Sequence, residues 1–153
     1  MSRTQQAIHE FEITEVEKMH TLDAFLRIPS VSADPEMKPH LLEAADFLKS
    51  YFEHLGMDEV KIFPTSLHPI VFTQKRSINP DAKTLLIYGH YDVQPPDPLD
   101  SWTTPAFEPT IRGEYLFARG SSDMKGQIMS TVFALESVLK TGELPINIKF
   151  ILE

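Results

Sequence analysis

The sequence predicts an α/β fold in which helices and strands alternate around one sheet. Three observations support this prediction: apolar residues recur at helical spacing in three segments, short β-like runs lie between these segments, and the last helical segment joins two apolar strands. A connection of that length suits two parallel strands of the same sheet. The sequence contains no internal repeat, no low-complexity tract and no linker between two domains.

The helices are predicted from periodicity and from the residues that end them. Apolar residues recur at helical spacing over about residues 8–26, 41–55 and 124–140. Pro29 ends the first helix, and Gly56 is well placed to cap the second. We expect each helix to place its apolar face against the sheet.

The strands are predicted from short β-prone runs between turn residues. Two runs lie at 60–63 and 69–73, and buried strands are predicted at 84–89 and 146–152. Residues 110–117 contain a Gly-Glu turn between apolar flanks, which predicts a β-hairpin. The segment from Val93 to Pro109 is a long loop rich in proline, and loops of this length are usually functional or disordered.

Composition excludes several functional classes. The net charge of −8 disfavours nucleic acid and anionic membrane as partners, because both would be repelled. The chain has no cysteine, so any metal must be held by His, Asp and Glu. No N-terminal apolar segment resembles a signal peptide and no apolar run approaches the ~20 residues that cross a bilayer, so we expect a cytoplasmic protein.

The candidate site begins where the strand at 84–89 ends. His90 and Asp92 follow that strand directly, and Asp123 lies 31 residues after Asp92. Two residues apart on extended backbone, His90 and Asp92 face the same side, at the strand end where open α/β sheets place their sites. Imidazole and carboxylate are ligands for divalent metals, and the Asp123 carboxylate can bind one metal or bridge two that lie about 3.5–4 Å apart. The pattern indicates a metal-dependent hydrolase.

Each of these residues also has a structural interpretation. A His-x-Asp pair after a strand is more often structural, with the histidine bonded to backbone and the aspartate capping a turn. Asp123 precedes the third predicted helix, where aspartate is a favoured N-cap. A serine hydrolase has little support, because the sequence has no Gly-x-Ser-x-Gly elbow.

Other polar residues are assigned structural roles. Lys125 and Arg119 flank Asp123 and could attract a substrate carboxylate, but surface or structural pairing is the favoured interpretation. Trp102 and the prolines around it are expected to stiffen the loop beside the site. Solvated or capping roles are predicted for the remaining histidines, which are His9, His20, His40, His54 and His68.

A longer pattern that includes His90, Asp92 and Asp123 consists of the segments LLIYGHYDVQPP, W, PAFEPTIR and ARGSSDMKG. This pattern resembles the metallopeptidase family that contains carnosinase, other cytosolic dipeptidases, aminoacylase and glutamate carboxypeptidase. The segment Arg27-Ile-Pro-Ser-Val-Ser is similar to the N-terminal connector of that family. The resemblance covers most of the chain. It implies a three-layer α/β/α mixed sheet of a zinc-exopeptidase-type catalytic domain.

The resemblance also implies roles for the candidate residues. His90 corresponds to a ligand of one metal in a two-metal site, Asp92 to the catalytic aspartate that orients this histidine, and Asp123 to the aspartate that bridges both metals. Two divalent ions are expected, with zinc favoured and manganese suited to oxygen-rich sites. The implied substrate is a dipeptide, short peptide or N-acyl amino acid, whose amide bond is hydrolysed by a metal-activated water.

Finally, the resemblance implies that the chain is incomplete. In the family the general base lies in a Glu-Glu pair beyond the strand that ends here at Glu153, and Glu153 resembles the residue before that pair. We therefore expect residues 1–153 to be the N-terminal portion of the catalytic domain, without its lid and dimerisation domain, and inactive alone. The complete protein is expected to be a homodimer. The alternative is a non-catalytic metal-binding or interaction module that retains the motif.

Overall fold

The computed structural model describes residues 1–153 and contains four α-helices and six β-strands. The helices are α1 (Arg3–Ile13), α2 (Glu15–Leu26), α3 (Lys38–His54) and α4 (Lys125–Leu139). The strands are β1 (Glu59–Phe63), β2 (Ile70–Lys75), β3 (Thr84–Gly89), β4 (Thr110–Arg112), β5 (Tyr115–Phe117) and β6 (Asn147–Leu152). None of the helices combines the length and the apolar character that crossing a bilayer requires.

The prediction of a single helix over residues 8–26 is wrong. This region forms the two helices α1 and α2, and α1 begins at Arg3, before the predicted start. A capping box starts α1: the Ser2 hydroxyl accepts a hydrogen bond from the Gln5 backbone at 3.2 Å, and the Gln5 side chain accepts one from the Ser2 backbone at 2.7 Å. The break falls at Thr14, whose hydroxyl donates to the Glu10 carbonyl at 2.5 Å. Apolar periodicity continues across this break and therefore did not reveal it.

Four strands form a mixed sheet in the order β1, β2, β6, β3. The β1–β2 and β2–β6 pairs are antiparallel, whereas β6 and β3 are parallel and α4 connects them. The strands β4 and β5 form a separate hairpin around Gly113, whose φ of 63° suits glycine. The predicted mixed α/β fold is confirmed, including the hairpin and the parallel pair.

One face of the sheet forms the hydrophobic core with the helices. Val71, Phe150 and Leu152 are fully buried on this face, together with apolar residues of α3 and α4. The ring of Phe52 on α3 lies 5.1 Å from the ring of Phe150 on β6. Burial of each such side chain contributes about 1.5–3 kcal/mol, so this cluster fixes the sheet against the helices.

The opposite face of the sheet is not covered by any helix of this chain. Leu86 and Tyr88 project from β3 on this side and expose 54% and 58% of their surface. The prediction that β3 is buried is wrong, because β3 is an edge strand whose one neighbour is β6. The residues of this chain thus supply one helical layer on the sheet.

Candidate active site

The candidate site lies at the edge of the sheet where the parallel strands β3 and β6 both end. The pairing continues past the strands: the Glu153 backbone donates to the Gly89 carbonyl at 3.1 Å, and the Tyr91 backbone donates to the Glu153 carbonyl at 2.8 Å. The Tyr91 ring is fully buried. Because neighbouring side chains on extended backbone alternate, His90 and Asp92 face away from this buried ring and into a cavity.

The connector between α2 and α3 runs beside this segment. The Val93 backbone donates to the Ser30 carbonyl at 2.9 Å, and the Ser30 hydroxyl donates to the Tyr91 carbonyl at 2.8 Å. Ser30 is fully buried, so these bonds are shielded from water. They place Ser32 within hydrogen-bonding contact of Asp92.

The cavity at this edge has a volume of about 500 Å³ and is lined by both polar and apolar side chains. Its lining residues come from the connector, from the β1–β2 loop and from the ends of the strands: Ser32, Thr65, Leu67, His68, Ile70, Tyr88, His90, Asp92 and Glu153.

Asp92 holds the imidazole of His90 in a defined orientation. Nδ1 of His90 lies 3.0 Å from Oδ1 of Asp92 and 3.2 Å from the Asp92 carbonyl oxygen. Both partners are acceptors, so Nδ1 carries the proton and donates. The other carboxylate oxygen of Asp92 accepts a hydrogen bond from the Ser32 hydroxyl. This arrangement leaves Nε2 of His90 free to bind a metal.

Asp123 faces that nitrogen from the loop that precedes α4. Its Oδ1 lies 3.2 Å from Nε2 of His90, and its side chain is 78% exposed. The N-cap interpretation of Asp123 is wrong, because α4 is preceded by Met124 and no side chain caps its N-terminus. The peptide bond between Asp123 and Met124 is cis.

Two glycines shape the loop that carries Asp123. Gly120 has a φ of +87°, in the left-handed region, and its carbonyl accepts a hydrogen bond from the Gly126 backbone at 3.1 Å. A Cβ atom on Gly126 would lie 2.0 Å from the Ser121 carbonyl oxygen. The tight turn therefore requires glycine at both ends.

The geometry of His90 and Asp123 fits two ligands of one metal. Bonds of 2.0–2.1 Å in tetrahedral geometry place two ligand atoms about 3.3 Å apart. The observed separation between Nε2 of His90 and Oδ1 of Asp123 is 3.2 Å. However, no group of three or more His, Asp or Glu side chains in the chain is arranged to hold a metal ion. The described residues thus bring together one imidazole and one carboxylate, which is fewer donors than a metal site requires.

The electrostatic surroundings favour the protonated form of His90. Partial burial opposes the charge, but the Asp92 carbonyl and the charges of Asp92 and Asp123 outweigh this effect and raise the pKa of His90. A proton and a metal ion would therefore compete for the same nitrogen.

Lys125 has a structural role that burial reveals. The side chain is fully buried, and its Nζ donates to the carbonyls of Phe25 at 3.0 Å and Ile28 at 2.6 Å. Burial lowers its pKa to about 7. Lys125 thus joins the start of α4 to the end of α2, two residues after Asp123. Its side chain has no access to a substrate in the cavity.

Arg119 and Trp102 hold the proline-rich loop. The Arg119 guanidinium donates to the Pro95 carbonyl at 3.0 Å and lies 5.3 Å from the Trp102 ring. The Trp102 indole nitrogen donates to the Pro96 carbonyl at 2.7 Å. These contacts agree with the predicted stiffening of the loop that follows Asp92.

The structure brings residues to the cavity that the sequence did not indicate. Ser32 and Glu153 line it, and so does His68, for which a solvated or capping role was predicted. That prediction does not describe Nδ1 of His68, which is buried and has no hydrogen-bond partner. His40 lies at the surface of α3, in agreement with the predicted solvated role, and is 3.0 Å from Glu43. Only the pairing of β2 with β6 shows that His68 reaches the same edge as His90.

Comparison with known proteins identifies similar sequences and structures. Residues 86–153 match Peptidase family M20/M25/M40. The chain is 37% identical over 138 residues to the Cys-Gly metallodipeptidase dug1 of Schizosaccharomyces pombe, an alignment that covers 83% of this chain and 29% of that protein. The predicted resemblance to this family of peptidases is confirmed.

Solved structures of related enzymes share the fold. The dipeptidase Dug1p from Saccharomyces cerevisiae superposes with a TM-score of 0.88 at 26% identity, covering 100% of this chain and 35% of that one. Human carnosine dipeptidase 1 gives a TM-score of 0.87 at 27% identity, covering 97% and 34%. The chain thus spans about a third of the length of these enzymes.

Proposed function

Because this chain is similar to the N-terminal part of metallodipeptidases of Peptidase family M20/M25/M40, we propose that it is the N-terminal portion of a metallodipeptidase catalytic domain. The complete protein then hydrolyses the amide bond of a small peptide. The observation that carries this proposal is the placement of Nε2 of His90 3.2 Å from Oδ1 of Asp123, the spacing of two ligands on one metal.

Each residue of the site has a defined part in this proposal. His90 and Asp123 would hold a divalent metal, and the exposed carboxylate of Asp123 could also contribute to a second ion. Asp92 accepts the Nδ1 proton of His90 and so keeps Nε2 directed at the metal. Two bound zinc or manganese ions would polarise the amide carbonyl and lower the pKa of a bound water to about 7.

The general base is assigned to sequence beyond residue 153, in keeping with the family resemblance. The Glu153 carboxylate is already engaged, because it accepts a hydrogen bond from the Tyr88 hydroxyl. The remaining metal ligands and the lid and dimerisation domain are assigned to the same missing part. A cytoplasmic homodimer completes the proposal, and the net charge of −8 disfavours nucleic acid as a partner.

The proposed substrates are dipeptides of the Cys-Gly type, the substrate in the name of the S. pombe relative. N-acyl amino acids are the alternative class. The complete protein should be assayed with Cys-Gly and with N-acetylglycine after metal removal by EDTA and after addition of zinc or manganese. We expect hydrolysis of Cys-Gly only with metal. Hydrolysis of N-acetylglycine alone would support the alternative substrate, and turnover unaffected by EDTA would contradict a metal mechanism.

A non-catalytic metal-binding module is the second candidate. In this alternative, the contact of 3.2 Å between His90 and Asp123 is retained without the further groups that catalysis needs. Calorimetric titration with zinc and a Cys-Gly assay, applied to residues 1–153 and to the complete protein, separate the two. Metal binding without turnover by the complete protein would support the module. Turnover by residues 1–153 alone would show that the assignment of the base is wrong.

A further inference from the structure

His68 lies in the loop between β1 and β2, at the same sheet edge as the candidate metal ligands. This loop spans residues 64–69, and the register that pairs Val71 with Leu152 brings it beside Glu153. His68 lines the cavity together with His90 and Asp92. It therefore belongs to the wall of the proposed substrate site, although nothing in its sequence context indicates a ligand role.

The other polar side chains that line the cavity already have partners. The Ser32 hydroxyl donates to Asp92, and the Tyr88 hydroxyl donates to Glu153. Thr65 donates from its hydroxyl to the His68 carbonyl at 2.6 Å. His90 is held by Asp92 and faces Asp123. The imidazole of His68 is the one polar side chain of the cavity wall without a hydrogen-bond partner.

The environment of the ring indicates which nitrogen is available. Neither ring nitrogen of His68 has a hydrogen-bond partner. Nδ1 is buried, whereas Nε2 is not among the buried atoms. A buried N–H without an acceptor is rarer in proteins than a buried acceptor without a donor. The favoured tautomer thus leaves Nδ1 unprotonated and places the proton on Nε2, which then presents a donor to the cavity.

The backbone around His68 is held in place before any ligand binds. Thr65 closes a turn across the loop, since its hydroxyl also accepts a hydrogen bond from the Leu67 backbone at 3.1 Å. The hydroxyl of the fully buried Tyr91 donates to the carbonyl of Pro69, the next residue. Tyr91 lies between His90 and Asp92, so the same residue anchors the loop of His68 and the segment of the metal ligand. Such a preorganised donor loses little entropy on binding.

We propose that His68 is a substrate-binding residue whose Nε2–H donates a hydrogen bond to an oxygen of the bound peptide. This inference rests on the proposed function and adds a specific contact to it. Two oxygens of a dipeptide are suitable acceptors: the carbonyl of the scissile amide and the terminal carboxylate. In either case the contact strengthens binding of substrates that carry this oxygen, and it requires no proton transfer.

The test uses the complete, metal-loaded protein and the dipeptide Cys-Gly. His68→Ala removes the donor, and His68→Gln places an amide N–H near the position of Nε2. The matched control is His9→Ala, because His9 is an exposed histidine on α1 far from the cavity. The steady-state KM and kcat are measured for each variant, and thermal melting verifies that each is folded.

We expect His68→Ala to raise KM about five- to tenfold with kcat changed less than twofold, which is the effect of one lost hydrogen bond. His68→Gln should recover most of this loss, and His9→Ala should match the wild type. Cysteine ethylamide keeps the amide carbonyl of Cys-Gly but has no oxygen at the position of the terminal carboxylate, so its inhibition constant separates the two acceptors. If this compound inhibits His68→Ala more weakly than the wild type, the acceptor is the scissile carbonyl, and equal inhibition identifies the terminal carboxylate.

Two results would overturn the inference while leaving the proposed function intact. One is a wild-type protein that hydrolyses Cys-Gly and a folded His68→Ala variant with the same KM. The other is a fall in kcat at unchanged KM, which would assign His68 to positioning of the catalytic groups. Absence of any hydrolysis by the wild type would instead contradict the proposed function itself.

Discussion

Nε2 of His90 lies 3.2 Å from Oδ1 of Asp123, although 33 residues separate the two in sequence. The proline-rich loop, the β4–β5 hairpin and the loop after it lead from the carboxyl end of β3 back to that end just before α4. At the other side of the ring, Asp92 accepts the Nδ1 proton. The imidazole is therefore held between a carboxylate that orients it and a second carboxylate, to which our proposal assigns the same metal.

Asp123→Ala should weaken metal binding, because it removes one of the two proposed metal ligands of the chain. We expect the zinc dissociation constant of the complete protein to rise at least about tenfold. Isothermal titration calorimetry of the metal-free protein measures this change. Asp100→Asn is the control, since Asp100 is exposed in the loop and has no hydrogen-bonded side-chain partner. Equal zinc affinity of the Asp123→Ala variant and the wild type would contradict the assignment.

Substitution of Asp92 should lower kcat more than substitution of Ser32. Asp92→Asn replaces the acceptor that orients His90 and is expected to lower kcat about 10- to 100-fold. Ser32→Ala removes only the hydrogen bond that steadies Asp92, so about a threefold loss of kcat is expected. Ser50→Ala on the surface of α3 is the control. A larger loss for Ser32→Ala than for Asp92→Asn would reverse the proposed order of roles.

Lys125→Met should destabilise the protein. The substitution removes the two Nζ hydrogen bonds to the carbonyls of Phe25 and Ile28, each worth about 0.5–1.5 kcal/mol, although each carbonyl keeps a backbone donor. Removal of a buried amine offsets part of this cost, and we expect a net loss of about 1 kcal/mol. Thermal melting of Lys125→Met and of the exposed control Lys83→Met measures it. A melting temperature equal to the wild type would show that the lysine contributes no net stability.

Ionisation of the Asp58 carboxylate should make the stability of the protein depend on pH in the acid range. Burial alone would raise its pKa, but hydrogen bonds from the Lys75 side chain and the Arg76 backbone outweigh burial and lower the pKa below its ordinary 3.8. Because the pKa of Asp58 is lower in the folded state than in the unfolded state, its stabilisation is complete when the pH is above the unfolded-state pKa. The stabilisation is lost as the pH falls through the folded-state pKa. Asp58→Asn should therefore lower the melting temperature at pH 7, and its difference from the wild type should shrink at pH 3.

The matched control for this pH dependence is Asp81→Asn, because Asp81 is exposed and its carboxylate has no partner. This variant should follow the wild type at both pH values. The contrary result is that Asp58→Asn and the wild type differ in melting temperature by the same amount at pH 7 and at pH 3. This result would show that the ion pair with Lys75 does not stabilise the protein through its charge.

Much of the fold could be predicted because local patterns carry it. The strand at 84–89 and the hairpin at 110–117 follow from short apolar runs and turn residues, and the structure places them at these positions. The break at Thr14 was missed because apolar periodicity continues on both sides of it. Exposure of β3 was missed because an apolar run is the same whether or not another element covers it.

The site was predictable only where its residues are close in sequence or belong to a familiar pattern. His90 and Asp92 share one extended segment, which fixes their common direction. Ser32 and His68 reach the cavity through strand register and a buried connector, and neither leaves a local signal in the sequence. Burial of Lys125 likewise depends on the packing of α2 against α4.

Hydrolysis of Cys-Gly by the complete, metal-loaded protein and its His90→Ala variant is the most direct test of the central claim. Loss of the imidazole removes one metal ligand and the partner of Asp92 together. We expect kcat/KM to fall by about three orders of magnitude or more, while the His9→Ala control retains the wild-type value. Near-normal activity of the folded His90→Ala variant would contradict the assignment of this site.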